Sequence, residues 1–243
     1  MISFNSIILA AGKDDESFSL ESNTSKIWID VGGVSLIEMA IGVYASNLQT
    51  VIAVSKNFID NKKLIKTTNK IKIHKLDEET SGALATASLI SSSLDPNKPI
   101  IITAVDSLIS KKNFDSFVEV MINSNVDSGL VVFKSQKPNL SFVRTNLSNE
   151  IIEVAEKRII GNLATAGIYY FRNPDIFLAC AKWAFLNNVS NNGIFYIAPS
   201  LNYLITTELK SKLFEIEEAE YYRFSTFGET EISKERLREN EIL

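Results

Sequence analysis

The chain has few of the residue types on which much enzyme chemistry depends. Of its 243 residues one is cysteine (Cys180) and one is histidine (His74). A single cysteine excludes an intramolecular disulfide and a thiolate zinc cage. A single histidine leaves little room for a histidine metal site or a Ser-His-Asp triad, and the alternating segment around His74 favours a structural or surface role. The sequence therefore argues against zinc-enzyme and serine-hydrolase mechanisms.

Long apolar runs and an excess of basic charge are also missing. No apolar run reaches 18 residues, and Met1–Asn5 contains no basic residue, so neither a membrane span nor a secretory signal is indicated. The 25 basic and 29 acidic residues give a net charge of −4, which argues against nucleic acid as a partner. With 45% hydrophobic residues, the chain has enough apolar side chains for a sizeable core. We expect a cytoplasmic protein without membrane insertion.

Short apolar runs and helical periodicities predict a single α/β domain over residues 1–243, with one mixed, mostly parallel sheet flanked by helices. The first half alternates strands and helices, which implies right-handed crossovers and parallel strands. Short connections in the second half predict antiparallel pairing there. The predicted strands are Ser6–Ala11, Thr50–Ser55, Lys70–Leu76, Pro99–Val105, Gly129–Lys134, Phe142–Thr145, Ile151–Ala155, Ala164–Phe171 and Lys212–Ile216, and the predicted helices are Leu36–Tyr44, Ser81–Ser91, Asp175–Leu186, Tyr196–Thr206 and Glu229–Leu243.

Two predicted segments lie outside this regular pattern. Asp14–Ser25 is polar and rich in Ser and Glu, which is typical of a long loop. The C-terminal helix Glu229–Leu243 mixes basic residues with glutamates and is expected to be an exposed amphipathic helix. The alternative is that this helix packs against a partner subunit, which would make the protein a homo-oligomer.

Two loops that follow predicted strands are candidate ligand sites, because ligands of open parallel sheets bind beyond the carboxyl ends of the strands. One loop has small residues that let backbone N–H groups approach an anion, and lysines that would neutralise phosphate charge; the alternative is a plain strand-to-loop turn. The other is Asp106, which suits Mg²⁺ held together with substrate phosphates; the alternative is that Asp106 caps a following helix. The residues of the first loop are Leu9, Ala10, Ala11, Gly12 and Lys13, followed later by Lys26.

Six segments in order resemble nucleotidyltransferases that activate sugar phosphates and related phosphorylated compounds. The family pattern begins with LAAG-x-G-x-R, a loop, Pro-Lys and G-G-x-P-L-I. Here LAAG at Leu9–Gly12 is followed by Lys26 and by VGGVSLI. The further matching segments are Thr80–Ala87, the strand ending at Asp106, Glu153–Lys157, Ala164–Phe171 and Asn192–Pro199, the last being similar to N-G-E-F-Y-x-x-P. The resemblance covers residues 5 to about 230 and implies a Rossmann-like fold of the glycosyltransferase-A type.

The resemblance also implies an activity: transfer of an NMP group from an NTP to a small phosphorylated acceptor, with release of pyrophosphate, for surface polysaccharides such as capsule. Residues 1–110 would form the nucleotide-binding half and residues 111–243 the acceptor-binding half. Asp106 would ligate Mg²⁺, and Lys26 would lie near the phosphates. This chemistry depends on positioning and charge stabilisation and needs no histidine.

Binding roles follow from the same resemblance. The backbone of Leu9–Gly12, with Lys13, would hold the nucleotide, and Gly82 would lie against its base together with the preceding loop from Asp77 to Ser81. Lys157 would bind the phosphate of the acceptor. The residues that would orient the rest of the acceptor are Glu156, the backbone of Ala166 and Gly167, and Tyr169.

The chain departs from the family pattern at several positions. Lys13-Asp14-Asp15-Glu16 stands where the pattern has Gly-x-Arg, so the arginine that faces the triphosphate is missing. Ser25 replaces the proline before Lys26, Ile194 replaces the acid of N-G-E-F-Y, and a late acid that related enzymes carry falls near Thr226. Two alternatives to an active nucleotidyltransferase therefore stay open: a homologue that binds but does not catalyse, and a glycosyltransferase of the same architecture.

Overall fold

The computed structural model describes residues 3–14, 16, 18, 25–59, 70–207 and 209–240. Most of the predicted loop Asp14–Ser25, and residues 241–243 of the predicted last helix, lie outside the described residues. The strands are β1 Asn5–Ala10, β2 Asp30–Val31, β3 Val34–Ser35, β4 Gln49–Val54, β5 Ile71–Lys75, β6 Ile100–Ala104, β7 Ser107–Ile109, β8 Ser128–Lys134, β9 Ser141–Thr145, β10 Ile151–Glu156, β11 Leu163–Phe171, β12 Ser211–Glu215 and β13 Tyr221–Arg223. The α-helices are α1 Leu36–Tyr44, α2 Ala83–Ser91, α3 Lys111–Asn123, α4 Pro174–Leu186, α5 Ile197–Ser200, α6 Asn202–Thr206 and α7 Phe227–Glu239, and 3-10 turns cover Lys26–Trp28 and Glu218–Glu220.

Nine of the described strands form one mixed sheet. β5, β4, β1 and β6 are parallel neighbours, and β11 pairs antiparallel with β6, β8 and β9. β12 adds to β8 in parallel, and β10 pairs antiparallel with β9. The predicted division into a parallel first half and a second half with antiparallel pairs is confirmed. The carboxyl ends of β1 and β6 lie side by side, where the candidate ligand loops begin.

The sheet separates two apolar layers, because successive strand residues face opposite sides. Ile8 of β1 packs in one layer with α1 and α3, whereas Ile7 packs in the other with α2 and α4. Both isoleucines are fully buried. Burial of apolar surface stabilises a fold by roughly 25 cal/mol per Å² removed from water. The two-sided burial of β1 fixes the point at which the following residues, Ala11 to Lys13, leave the sheet.

Some elements differ from the predictions. The predicted helix Tyr196–Thr206 is two short helices, α5 and α6, separated at Leu201. The alternative that Asp106 caps a helix is wrong, because strand β7 follows it directly and Ser110 caps α3. The structure also contains α3, β2, β3, β7 and β13, which are not among the predicted elements.

The last helix, α7, packs on the chain itself. Thr230, Ser233 and Leu237 are buried, and Thr226 caps its first turn by accepting a hydrogen bond from the backbone N–H of Glu229. A partner subunit on this helix stays a hypothesis. None of the described helices is long and apolar enough to cross a membrane.

Candidate functional site

A buried ion pair marks the point where β1 and β6 end. β6 lies in register with β1, and the N–H of Val105 donates to the carbonyl of Leu9 at 2.9 Å. The 3-10 turn at Lys26–Trp28 directs Lys26 at the same point, so that Lys26 Nζ lies 2.6 Å from Asp106 Oδ2. Their side chains are only 9% and 18% exposed. Two residues 80 positions apart in the sequence, predicted separately as phosphate and metal ligands, are therefore in direct contact.

The pair controls the charge state of both residues. Burial alone would lower the pKa of Lys26, but the Asp106 carboxylate and the nearby Asp14 raise it above its ordinary value. Burial would raise the pKa of Asp106, but Lys26 and Arg223 hold it below its ordinary value. Both groups are therefore ionised at neutral pH. The site presents a fixed carboxylate with a fixed cation against it.

Further polar side chains surround this pair, and together Asp14, Lys26, Asp106, Arg223 and Ser225 are called the Asp106 cluster. Asp14 Oδ1 accepts a hydrogen bond from the backbone N–H of Lys26 at 3.2 Å. The Ser225 hydroxyl donates to Asp106 Oδ2 at 3.5 Å and accepts from Arg223 Nε at 3.1 Å. The residue that faces Asp106 from the end of the chain is therefore Ser225. The late acid of related enzymes was predicted to fall near Thr226, but Thr226 caps α7. Arg223 was not among the predicted site residues.

The loops predicted to hold the nucleotide lie at this edge of the sheet. A Cβ on Gly12 would meet no atom within 4 Å, so the end of β1 is open to a ligand. Lys13 is exposed and pairs with Glu79 at 2.9 Å, which connects the loop after β1 to the predicted loop from Asp77 to Ser81. An exposed pair of this kind contributes little stability, so Lys13 is free to change partners.

Gly82 is required by the protein's own backbone. Its φ is +131°, and a Cβ there would lie 2.5 Å from the carbonyl oxygen of Phe195 and 2.9 Å from Ile194 Cγ2. The segment is held in place because the N–H of Phe195 donates to the carbonyl of Ser81, and its carbonyl accepts from Leu84 N. The contact that excludes a side chain at Gly82 is thus with residues 194–195. That Gly82 also faces a nucleotide base stays a prediction.

We expect Gly82→Ala to lower the free energy of unfolding by at least about 2 kcal/mol, because a strained φ and a backbone collision act together. Urea denaturation followed by circular dichroism measures the change. Gly42→Ala is the matched control. Gly42 lies in α1 with open space around its Cα, and alanine there should stabilise by about 0.5–1 kcal/mol. A neutral effect of Gly82→Ala would contradict this packing.

A second polar region lies at the end of β10. Glu156 is half-buried and accepts a short hydrogen bond from the Ser141 hydroxyl. Burial raises the pKa of Glu156, although Ser141, Lys157 and Arg223 oppose the rise. The hydroxyl of buried Tyr169 lies 3.3 Å from that of Thr165, and the charge of Glu156 helps to raise the pKa of Tyr169. Glu156 and Tyr169 are thus close enough to interact.

Glu156 lines an open cavity of about 380 Å³, called here the Glu156 cavity. Lys157 follows in a left-handed conformation with φ +52°. Its ammonium lies 3.1 Å from the Tyr196 hydroxyl and 5.2 Å from the centre of the Tyr196 ring. The cavity is therefore lined by the Glu156 carboxylate and the Tyr196 hydroxyl, and the Lys157 ammonium lies against that hydroxyl without lining the cavity itself. The other residues that line it are Glu153, Val154, Ala155, Arg158, Trp183, Val189, Ser190, Asn191, Pro199 and Asn202.

The two polar regions are connected through β11. A Cβ on Gly167, whose φ is +73°, would lie 3.4 Å from the Ser107 hydroxyl oxygen, in the residue that follows Asp106. Ala166 beside it is fully buried. Arg223 influences the pKa of both Asp106 and Glu156. Gly167 of β11 thus lies against the residue that follows Asp106, and Arg223 is close enough to both carboxylates to influence their pKa values.

The raised pKa of Glu156 makes a prediction about pH. The pKa of Glu156 is higher in the folded protein than its ordinary value of 4.5, so ionisation of this carboxyl destabilises the fold. The free energy of unfolding therefore decreases as pH rises from the unfolded pKa through the folded pKa. Glu156→Gln keeps an acceptor for Ser141 and removes this cost. We expect the Tm of Glu156→Gln to exceed that of the wild type at pH 8 and to equal it at pH 4. Equal melting temperatures at both values would contradict the assignment.

The cysteine and histidine take no part in this site. Cys180 is buried in α4, and burial raises the pKa of its thiol to about 12, so it is not a nucleophile at neutral pH. His74 is exposed on β5, as its alternating pattern predicts. The chemistry available to the site comes from lysine, arginine, carboxylate and backbone groups.

The carboxylates at the described part of the site bear on metal binding. Among the described residues no group of three or more His, Cys, Asp or Glu side chains is placed to hold a metal ion. Asp106 brings one carboxylate, and its Oδ2 is paired with Lys26. A cation that arrives on the phosphates of a nucleotide needs fewer protein ligands. A single carboxylate such as Asp106 is compatible with a cation of this kind.

Comparison with known proteins agrees with this geometry. A family model described as "Nucleotidyl transferase" matches residues 5–194. This range contains both polar regions apart from Tyr196, Pro199, Asn202, Arg223 and Ser225. The comparison with curated proteins found no match.

Solved structures share the fold over nearly the whole chain. A nucleoside-diphosphate-sugar pyrophosphorylase from Vibrio cholerae RC9 has a TM-score of 0.78 at 21% identity, covering 97% of this chain and 100% of that one. A putative glucose-1-phosphate thymidylyltransferase from Bacillus anthracis has a TM-score of 0.76 at 15% identity, covering 97% and 96%. The inositol-1-phosphate CTP transferase from T. maritima has a TM-score of 0.74 at 17% identity, covering 98% and 96%. At these identities the likeness shows the fold alone.

Proposed function

Because the chain belongs to the nucleotidyl transferase family, we propose that it transfers an NMP group from an NTP to a small phosphorylated acceptor and releases pyrophosphate. The observation that carries this proposal is the convergence of separate segments on one site. Lys26, Asp106 and Gly167 come together at the ends of β1 and β6, with the Glu156 cavity beside them. The site thus offers a place for a nucleotide next to a place for an acceptor.

The proposed reaction is an in-line displacement at phosphorus. An oxygen of the acceptor phosphate forms a bond to the α-phosphorus of the NTP, and the bond from that phosphorus to the bridging oxygen of the β-phosphate breaks. Pyrophosphate leaves with the electron pair. The protein's task is to align two anions and to offset their charge.

The named residues divide this task. The backbone after β1 holds the nucleotide, with Gly12 leaving room for close approach and with Lys13 beside it. Lys26 would lie beside the phosphates with its charge shared with Asp106, and Asp106 would hold the Mg²⁺ that accompanies the nucleotide. Lys157 binds the acceptor phosphate at the mouth of the Glu156 cavity.

The acceptor is oriented by the residues of the cavity. Glu156 is an acceptor for hydroxyl groups, because its carboxylate is held by Ser141 with lone pairs to spare. The Tyr196 ring already carries the Lys157 ammonium on its face, so it is not available to a second cation. A hydroxyl-bearing phosphate, such as a sugar phosphate for surface polysaccharide synthesis, suits these groups. NTPs are cytoplasmic metabolites, and we expect the reaction in that compartment.

A second candidate is a homologue that binds nucleotide without catalysis. The observation that favours it is Ser225, a hydroxyl at the position that faces Asp106, where a second carboxylate would strengthen metal binding. The two candidates differ in turnover and agree in binding. Release of pyrophosphate with any acceptor would exclude the second one.

Thermal melting with ATP, CTP, GTP, UTP and dTTP, each with and without Mg²⁺, tests binding first. A ligand at a hundredfold excess over its Kd stabilises by about 2.7 kcal/mol, which is several degrees for a chain of this length. We expect one nucleotide to raise the Tm, and that nucleotide then enters an assay for pyrophosphate release with a panel of sugar phosphates. No shift and no pyrophosphate with any combination would contradict the proposal.

A further inference from the structure

Arg223 reaches the Asp106 cluster through a strand pairing that joins distant parts of the chain. β13 pairs antiparallel with β7, so that Arg223 lies opposite Ser107, the residue after Asp106. The N–H of Phe224 donates to the Asp106 carbonyl at 2.9 Å. Arg223 Nε donates to Ser225 Oγ, which itself lies 3.5 Å from Asp106 Oδ2. The guanidinium is therefore held one hydroxyl group away from the Asp106 carboxylate.

The guanidinium keeps donors for a ligand. Nη1 pairs with Glu229 Oε1 at 3.2 Å, and Nη2 has no hydrogen-bond partner within the part of the chain that the structure describes. The side chain is 22% exposed, so it is partly accessible to a ligand. A guanidinium presents its donors in a planar fork that matches two phosphate oxygens.

The cation is needed because the rest of the site is short of positive charge. Lys26 is already neutralised by Asp106 at 2.6 Å, and Asp14 adds a further carboxylate beside it. A triphosphate entering this cluster would meet two carboxylates and one paired lysine. Arg223 supplies a second cation, and its electrostatic influence extends to Glu156 on the acceptor side. Its geometric position is beside Asp106, the residue to which the nucleotide phosphates are assigned under the proposed function.

We propose that Arg223 contacts the phosphoryl group being transferred and stabilises the pyrophosphate that leaves. This inference rests on the proposed function and adds a catalytic residue to it. As the new oxygen–phosphorus bond forms and the bond to the β-phosphate breaks, negative charge grows on the oxygens of both phosphate groups, and the guanidinium donates hydrogen bonds to them. Glu229 is a positioning residue that holds Arg223 in place.

Kinetics of three variants test the role. We expect Arg223→Ala to lower kcat by at least about 100-fold, with a smaller change in the KM of the acceptor. Arg223→Lys restores the charge without the fork and should recover part of kcat. The matched control is Arg236→Ala, an arginine of α7 that donates to the Glu218 carbonyl at 2.7 Å and lies over the Tyr222 ring. Its loss should leave kcat near the wild-type value.

Binding of inorganic pyrophosphate gives a readout that does not depend on turnover. By isothermal titration, the wild type and Arg236→Ala should bind pyrophosphate, and Arg223→Ala should bind it at least about 10-fold more weakly, in line with the loss of a charged hydrogen bond. Equal pyrophosphate affinity and equal kcat in Arg223→Ala and Arg236→Ala would overturn the inference. If the wild type releases no pyrophosphate with any NTP, the proposed function fails, whereas weakened pyrophosphate binding in Arg223→Ala would still support the phosphate contact.

Discussion

Asp106→Ala is expected to abolish nucleotidyl transfer and to destabilise the fold by about 3–5 kcal/mol, because it leaves the Lys26 ammonium buried without its partner. Lys26 is 7% exposed, and within the described residues its ammonium forms an ion pair with Asp106. For a chain of this length the loss corresponds to a fall in Tm on the order of 10 °C. Thermal melting and pyrophosphate release, measured on the same preparation, check both effects.

A second substitution separates the two effects. Adding Lys26→Met to Asp106→Ala removes the uncompensated charge, so most of the stability should return while activity stays absent. Asp115→Ala is the matched control, because Asp115 forms an exposed pair with Lys111 within α3, and its loss should cost less than about 1 kcal/mol. A double variant as unstable as Asp106→Ala would show that Asp106 supports the fold by other contacts.

The pH dependence of this cost follows from the signs of the two pKa shifts. The pKa of Asp106 is lowered on folding, so its contribution is present above the ordinary value of 3.8 and is lost as pH falls through the folded value. The pKa of Lys26 is raised, so its contribution is present below 10.5 and is lost as pH rises through the folded value. The difference in free energy of unfolding between the wild type and Asp106→Ala should therefore be constant near neutral pH and should shrink at very low and very high pH.

The parallel part of the fold was predictable because each of its elements carries a local signal. β1 and β6 are apolar runs that end at a glycine or an aspartate, and α1 has helical spacing. The helix α3 carries such a signal too, although it is not among the predicted helices. Its buried apolar residues repeat at helical spacing and are Phe114, Phe117, Val118 and Met121. β7 and β13 have three residues each, which is too short for a period of two to be recognised.

The site was predictable only in part, for a related reason. Lys26, Asp106, Glu156 and Lys157 stand inside segments that resemble a family pattern. The structure brings Lys26 into contact with Asp106 and places Glu156 and Lys157 in the second polar region. Arg223 stands outside any such segment. Its position depends on the pairing of β13 with β7, more than 110 residues earlier in the chain, and a pairing over that distance leaves no trace in local spacing. The same pairing decides that Ser225 and not Thr226 faces Asp106.

Lys157 combines a strained backbone with a proposed ligand contact, which makes its stability and its activity respond in opposite directions. A residue with a Cβ pays about 1–2 kcal/mol in the left-handed region, and such strain is concentrated at functional sites. At φ +52° a glycine would remove that cost, partly offset by its greater entropy when unfolded. The lysine side chain is exposed and contacts Tyr196, so little packing is lost with it.

The free energy of unfolding of Lys157→Gly should therefore equal the wild-type value or exceed it by up to about 1 kcal/mol. In the same variant kcat/KM for the acceptor should fall roughly 10- to 100-fold, because a charged hydrogen bond is lost. Asn149→Gly is the matched control, because Asn149 has φ +60° in the turn between β9 and β10 and contacts neither polar region. It should show the same backbone effect with unchanged kinetics. Urea denaturation and acceptor titrations measure the two quantities. An equal loss of kcat/KM in both variants would place the effect in the backbone, and unchanged kinetics in Lys157→Gly would remove Lys157 from the acceptor site.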